Sequence, residues 1–396
     1  MVDGKVEKVF FALLRAGLWE KEVRLLSFDD KDLPELLRLA REQSVVGLVA
    51  AGLEHVTDVK VPKEDVLQLI GRTVQLEQRN KAMNAFIGRL VDKMRESEIY
   101  TLLVKGQGVA QCYERPLWRT CGDVDLFLSD ENYEKAKTFL IPLAAAMEPE
   151  GVYAKHLEMV VDSWVVELHG RLYNGLSSRI DSELDDVYRD SFRRGKVRSW
   201  MNGDVQVFQL SAENDAFYVF THILQHFYKG GIGLRQICDW CRLLWTYRDE
   251  MNRDMLEGRL RRTGLMTAWK AFGAFAVEYL GMEAAAVPFL NDNVNLNLND
   301  NLNDNVNLNL KLGGSISARL KQKAARIKEF VLESGNFGHN RDMSYYSKYP
   351  YVIRKCMSMS RRVGDLIRHS RIFPMDSLRF FPRMMLNGVR SAMRGE

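Results

Sequence analysis

Residues 105–128 read KGQGVAQCYERPLWRTCGDVDLFL, and this stretch decides the fold. Its last six residues, which follow Gly122, alternate acidic and apolar side chains before ending in apolar ones. Successive side chains of a strand point to opposite faces, so Asp123 and Asp125 should share one face. The intervening apolar residues would enter the core from the other face. The pattern therefore predicts a half-buried strand that carries two carboxylates side by side.

A third carboxylate, Glu167, lies between apolar residues in the stretch WVVELH at 164–169. On a neighbouring strand it would complete a three-carboxylate cluster with Asp123 and Asp125. Mg²⁺ prefers such oxygen ligands, and Mn²⁺ accepts them. Two metals held in this way suit phosphoryl chemistry. His169 shares the face of Glu167 and is an accessory candidate that would orient a carboxylate or substrate. The alternatives are an ordinary exposed glutamate and a structural histidine.

Three features near the carboxylates are candidates for binding phosphates. Lys105-Gly106 ends a predicted strand at 100–104 and opens a helix, whose N-terminal N–H groups favour anions. Arg119 lies just ahead of the carboxylates, and a guanidinium binds phosphate in a bidentate manner. Gly122 leaves room for a nucleotide. These residues form the predicted nucleotide-binding set.

These motifs resemble the polymerase-β-like nucleotidyltransferase superfamily, whose signature is a glycine turn, Asp-x-Asp on a strand and a later lone acid. More specifically, the chain is similar to a bacterial family of uncharacterised nucleotidyltransferases over roughly residues 10–285. The matching positions are Lys105-Gly106, Tyr113, Pro116, Arg119, Gly122-Asp123, Asp125-Leu126, Leu168-His169, His222, His226 and Asp239.

The resemblance implies an enzyme that moves a nucleoside monophosphate from an NTP to an acceptor, with Mg²⁺ or Mn²⁺ on Asp123, Asp125 and Glu167. It names neither the NTP nor the acceptor. The first turn reads Gly106-Gln107, where the superfamily usually has Gly-Gly or Gly-Ser. This departure leaves open an alternative: a non-catalytic, nucleotide-binding or antitoxin-like regulatory protein. A role in surface-polysaccharide synthesis would rest on family association alone.

The apolar periodicities predict an α+β protein, in which a small mixed-sheet core lies between helical regions. The residues Ser27-Phe28-Asp29-Asp30 predict the cap of an early helix. A long helix is predicted over 63–97 and another helix over 131–146. Residues 157–169 predict a hairpin that turns at Asp162-Ser163. The predicted organisation is a helical region at 1–98, a nucleotidyltransferase-like core at 99–210, a helical region at 211–290, an Asn-rich low-complexity linker at 291–312 and a basic helical region at 313–396.

Composition limits location and partners. The net charge of +4 over 396 residues names no partner, and no aromatic and basic platform predicts nucleic-acid binding. Five sparse cysteines and the lack of a signal-peptide pattern predict a cytoplasmic protein. The basic C-terminal region predicts either packing on its own domain or peripheral contact with a membrane. His222, His226, Cys238 and Cys241 have zinc-like spacing, but the cysteines fall on an apolar helical stripe, which favours a core position.

Overall fold

A computed structural model describes residues 3–26, 29–59, 63–151, 155–290, 316–336, 349 and 351–394. The Asn-rich linker predicted at 291–312 lies outside these residues. Within the described ranges, no helix is both long enough and apolar enough to cross a membrane.

Among the residues that the structure describes, helices surround a single mixed sheet. The helices are α1 Gly4–Trp19, α2 Leu33–Glu42, α3 Val46–Glu54, α4 Lys63–Glu96, α5 Gly106–Ala110, α6 Asp130–Leu140, α7 Ser178–Phe192, α8 Ala212–Lys229, α9 Leu234–Thr246, α10 Arg253–Thr263, α11 Met266–Leu280, α12 Ala318–Ser334, α13 Tyr351–Ser370 and α14 Pro374–Arg394. The predicted fold class is confirmed, because the mixed sheet lies between N-terminal and C-terminal helical regions.

The sheet has seven strands. They are β1 Thr101–Val104, β2 Asp123–Leu128, β3 Ala146–Met147, β4 His156–Val161, β5 Trp164–His169, β6 Val197–Asn202 and β7 Val205–Leu210, in the order β3-β4-β5-β2-β1-β7-β6. Strand β2 is central: it pairs antiparallel with β1 and parallel with β5. The strand that carries the two aspartates is therefore protected from solvent along both edges.

The two faces of the sheet differ in their partners. Val124, Leu126 and Leu128 are buried against apolar side chains of α4 and α6. On the opposite face, Phe127 belongs to a larger apolar cluster that includes side chains of the N-terminal helices and of α8 to α12. The acidic side chains of β2 lie on this second face, which points toward the helical half of the chain.

Several local predictions can be compared with the structure. The hairpin is confirmed: β4 and β5 are joined at Asp162 and Ser163, both with positive φ, and residues 63–96 form one continuous helix. The helix predicted over 131–146 is shorter, since a 3₁₀ turn at Ile141–Leu143, which contains Pro142, follows Leu140. The cap predicted at 27–30 lies partly outside the described residues; within them, Asp29 accepts from the backbone N–H of Lys31 at 3.1 Å and caps a 3₁₀ turn at Asp30–Asp32 that leads into α2. Asp32, which directly precedes α2, makes no side-chain capping bond.

The end of the basic C-terminal region packs on the chain itself. His369 of α13 lies against the rings of Phe227 and Phe330, and Phe373 and Phe380 are buried. Val363 and Ile367, earlier on α13, remain exposed. Packing on the protein is thus observed for the last turn of α13 and for α14.

Candidate active site

Asp123 and Asp125 lie on the same face of β2, as their spacing predicts. In the parallel pairing of β2 with β5, Asp125 is the register partner of Glu167, and Asp123 is that of Val165. Asp125 is buried and Asp123 is half-buried, and both line one cleft. The alternation of the two strands therefore places the three predicted carboxylates on one face of the sheet at neighbouring register positions, but their oxygens do not form a set within 4.8 Å of one another.

His169 connects two of these carboxylates. Its Nε2 atom lies 2.9 Å from Oδ1 of Asp125 and 3.3 Å from Oε2 of Glu167. Burial alone would lower the pKa of His169, but hydrogen bonds to Asp125 and Glu167 raise it. The accessory position predicted for His169 is thus in direct contact with the acids.

The acids repel one another. The charge of Asp125, together with burial, raises the pKa of Asp123, and Lys105 opposes the shift. Burial would also raise the pKa of Glu167, but hydrogen bonds from His156 and His169 hold that pKa far below its usual range. Perturbed pKa values of this kind are common at functional sites.

Lys105 and Gly106 lie at the point where β1 ends and α5 begins. Both have positive φ, 55° and 44° respectively, and this left-handed backbone favours glycine. The Nζ atom of Lys105 lies 2.6 Å from Oδ1 of Asp125. Burial would lower the pKa of Lys105, but the charge of Asp125 more than offsets it, so the pKa is raised. The ammonium group therefore faces the acids and compensates part of their charge.

Arg119 forms a buried ion pair. Its Nε and Nη2 atoms donate to the two carboxylate oxygens of Asp239, at 3.0 and 2.7 Å, and the Tyr113 hydroxyl also donates to Asp239. Arg119 is only 5% exposed, yet it lines the cleft with the acids, and its Nη1 atom has no hydrogen-bond partner among the described residues. Two of its nitrogens are thus fixed by the protein, and one is left for a ligand.

Gly122 supplies space beside Asp123. It is exposed, and a Cβ atom built on it meets no atom within 4 Å. The cleft itself encloses only about 50 Å³, whereas ligand pockets usually enclose about 300–1,000 Å³. Its enclosed part therefore suits a small charged group, and a larger molecule would extend past Gly122 to the surface.

Sequence reasoning missed Arg235 and His156. Arg235 of α9 donates to the backbone oxygen of Thr120 and lines the cleft; it stands four residues before Asp239, a helical spacing that places both on one side. His156 lies opposite His169 in the hairpin, and the turn predicted at Asp162-Ser163 was enough to reveal this register. His156 Nε2 lies 3.2 Å from Oε2 of Glu167.

The two histidines and two cysteines with zinc-like spacing do not come together at one site. Cys238 and Cys241 are fully buried within the apolar cluster, while His222 and His226 contact each other through Nε2 atoms 3.1 Å apart. Asp239, which follows Cys238, accepts from Arg119 and Tyr113. Across the described ranges, the set of three or more potential ligands is His156, Glu167 and His169.

The fold and the site together define a class: a mixed-sheet α/β protein with a strand-borne acidic cluster beside basic side chains. Comparison with protein families gives a particular assignment. The chain belongs to the family described as uncharacterised nucleotidyltransferase, whose sequence profile matches residues 29–281, well over half of its length. Searches of curated proteins and of solved structures give no significant match. Family membership supports a transferase that acts on a nucleotide.

Proposed function

We propose that the protein is a metal-dependent nucleotidyltransferase that moves a nucleoside monophosphate from an NTP to an acceptor. The observation that carries this proposal is the register of β2 and β5, which pairs Asp125 with Glu167 and leaves Asp123 on the same cleft. In the reaction, an oxygen of the acceptor forms a bond to the α-phosphorus. The bond between that phosphorus and the oxygen leading to the β-phosphorus breaks, and pyrophosphate leaves. This is the chemistry of the polymerase-β-like superfamily that the motif resembles.

The side chains supply ligand types that suit a divalent cation. Asp123, Asp125 and Glu167 supply the carboxylate oxygens that Mg²⁺ prefers, and Mn²⁺ also accepts His169. Mutual repulsion of the acids, seen in the raised pKa of Asp123, would be relieved by a cation. When bound, such an ion would make the acceptor hydroxyl more acidic and neutralise charge on the leaving pyrophosphate.

The basic side chains have separate tasks in this proposal. Lys105 would exchange its contact with Asp125 for a phosphate oxygen, a shift within reach of its flexible side chain. Arg119 would offer Nη1 while Asp239 fixes the plane of its guanidinium. Gly106 lets the backbone turn close to the phosphates, and Gly122 leaves space for the rest of the nucleotide. A carboxylate of the cluster would receive the proton of the acceptor.

A regulatory nucleotide-binding protein is the second candidate. Two observations favour it: the 2.6 Å contact between Lys105 and Asp125, and the small enclosed volume of the cleft. Such a protein would bind NTP without releasing pyrophosphate. Its site would use the same residues, so the two candidates differ in turnover rather than in binding.

The proposal also covers location and partners. The cytoplasm supplies NTPs, and the cysteines at 112, 121, 238 and 241 are free thiols, which supports a reducing compartment. The acceptor is not nucleic acid in this proposal. The exposed apolar side chains of α13 make peripheral membrane contact the alternative use of the C-terminal region.

The test is a screen of four labelled NTPs against cell lysate, with Mg²⁺ or Mn²⁺. Wild-type protein should release pyrophosphate and label an acceptor. The double variant Asp123→Asn, Asp125→Asn should lose activity by about 100-fold or more, because removal of metal ligands costs several kcal/mol of transition-state stabilisation. Asp162→Asn in the hairpin turn is the matched control, since Asp162 is exposed and asparagine accepts its left-handed backbone.

Equal activity of the double variant and the wild type would overturn the proposal. NTP binding without pyrophosphate release, for all four NTPs and both metals, would instead assign the protein to the regulatory class.

A further inference from the structure

The hairpin of β4 and β5 carries two histidines and one glutamate on a single face. His156 and His169 are register partners across the two strands, and their rings lie 4.9 Å apart. Glu167 is two residues before His169 on the same strand, so its side chain joins them. Two-residue alternation and a tight turn thus produce a set of two nitrogens and one carboxylate that contains only one of the three predicted metal ligands.

The distances within this set match metal coordination. The Nε2 atoms of His156 and His169 lie 3.2 and 3.3 Å from the same oxygen, Oε2 of Glu167. Charge-assisted N–H···O bonds are usually about 2.7–2.9 Å long. Ligand atoms about 2.0 Å from a tetrahedral metal are about 3.3 Å apart. The two separations lie at the long end of the hydrogen-bond range and also suit the edges of a coordination polyhedron.

Access to the set is open on one side. The side chain of His156 is 37% exposed, that of Glu167 is 18% exposed, and that of His169 is more buried. The second contact of His169, at 2.9 Å to Asp125, ties the set to the acidic cluster. A cation would therefore enter from the solvent side of the hairpin and lie at the border of the carboxylate site.

We propose that His156, Glu167 and His169 form a second divalent-cation site, which selects transition metals such as Mn²⁺, Co²⁺ or Zn²⁺ over Mg²⁺. Imidazole nitrogen binds these metals well, whereas Mg²⁺ demands oxygen ligands. The site deepens the proposed function, because Glu167 belongs to both ligand sets and a metal here would lie next to the one on Asp123 and Asp125. Its existence as a binding site does not depend on turnover.

The test is a titration of the full chain with Co²⁺, in the absence of NTP and with Mg²⁺ in excess. The wild type should bind one Co²⁺ whose visible absorption reports nitrogen ligands. His156→Gln should weaken this binding at least about tenfold, since loss of even an outer partner of a metal ligand costs about 10–100-fold. His55→Gln is the matched control, because His55 also contacts a glutamate, at 2.7 Å from Glu20, but has no second histidine in that contact. It should bind Co²⁺ as the wild type does.

Equal Co²⁺ affinity of wild type and His156→Gln, or displacement of Co²⁺ by Mg²⁺ at similar concentrations, would overturn the second site. If His156→Gln does not fold, Co²⁺-shifted exchangeable imidazole N–H signals of the wild type decide instead. Two histidine signals support the site, and fewer than two contradict it.

The two proposals fail separately. Co²⁺ binding without pyrophosphate release would leave the second site intact and overturn the transferase. If wild-type protein releases pyrophosphate but His156→Gln binds Co²⁺ as tightly as the wild type, the transferase proposal stands and the second site is overturned.

Discussion

Two groups of acids in the described part of the chain differ in their surroundings. In the candidate active site, Asp123, Asp125 and Glu167 crowd one face of the sheet, with Lys105 as a contacting cation. In a second region, which we call the α7–α10 network, Glu183 and Asp190 of α7 are each bound by arginines. These contacts join Arg259 to both acids, Arg262 to Glu183 and Arg194 to Asp190.

One acid of each region, Asp123 of the site and Asp190 of the network, has a pKa shifted in the opposite direction from the other. The charge of Asp125 and burial raise the pKa of Asp123. Burial would also raise the pKa of Asp190, but hydrogen bonding to Arg194 and the charge of Arg259 lower it. Asp190 is therefore compensated by arginines within the chain, whereas Asp123 keeps negative charge that its neighbours compensate less fully.

The largest change in the free energy of unfolding is expected when the α7–α10 network is broken. Arg259 is 2% exposed, and its replacement in Arg259→Met leaves Glu183 and Asp190 with less compensation. The free energy of unfolding should fall by about 3–5 kcal/mol, measured by urea denaturation. Arg261→Met on the same helix is the control, because its ion pair with Glu257 is exposed and should contribute less than about 1 kcal/mol. Similar losses in both variants would contradict the comparison.

A smaller change in the free energy of unfolding is expected from the titration of His226. Burial, together with the charges of Lys105, Lys229 and Arg235, lowers the pKa of His226 to about 4. The unfolded chain binds this proton below about pH 6.5, so the contribution of His226 to the stability of the wild type should be lost between about pH 6.5 and 4.

In His226→Gln this contribution, about 1–3 kcal/mol, should be absent from the acid limb of the curve. Urea midpoints measured at a series of pH values check the prediction. Parallel curves for the variant and the wild type would show that His226 does not carry this pH dependence.

The smallest expected change is a gain in the free energy of unfolding, whereas the preceding changes are losses. Asp123→Asn removes one of the mutually repelling charges, so it should raise the free energy of unfolding by about 0.5–2 kcal/mol, as substitutions at strained functional sites often do. Asp190→Asn should lower it, because Asp190 is bound by arginines. Thermal unfolding without added metal compares the two. A loss of stability in Asp123→Asn would show that the site acids are compensated as fully as those of the network.

The parts of the site that follow from local pattern were predictable from the sequence. Alternation placed Asp123 and Asp125 on one face, and the turn at Asp162-Ser163 fixed the hairpin. The same turn implies the pairing of His156 with His169. The family assignment agrees with the motif at Gly122-Asp123.

Contacts between distant parts of the chain were not predictable. Arg119 and Asp239 are 120 positions apart, and only the packing of α9 beside the sheet brings them together. The order of the sheet, with β2 between β1 and β5, likewise depends on long-range pairing rather than on any single strand. For this reason the sequence indicated a phosphate role for Arg119 but not the buried partner that holds it.

Calorimetric titration with non-hydrolysable analogues of the four NTPs, with and without Mg²⁺, tests the central claim most directly. Wild-type protein should bind at least one analogue in a Mg²⁺-dependent manner. The double variant Asp123→Asn, Asp125→Asn should keep its fold and lose the Mg²⁺ dependence. Binding that is equally strong without Mg²⁺, or unchanged in the double variant, would contradict the claim that these acids hold a divalent cation for a nucleotide.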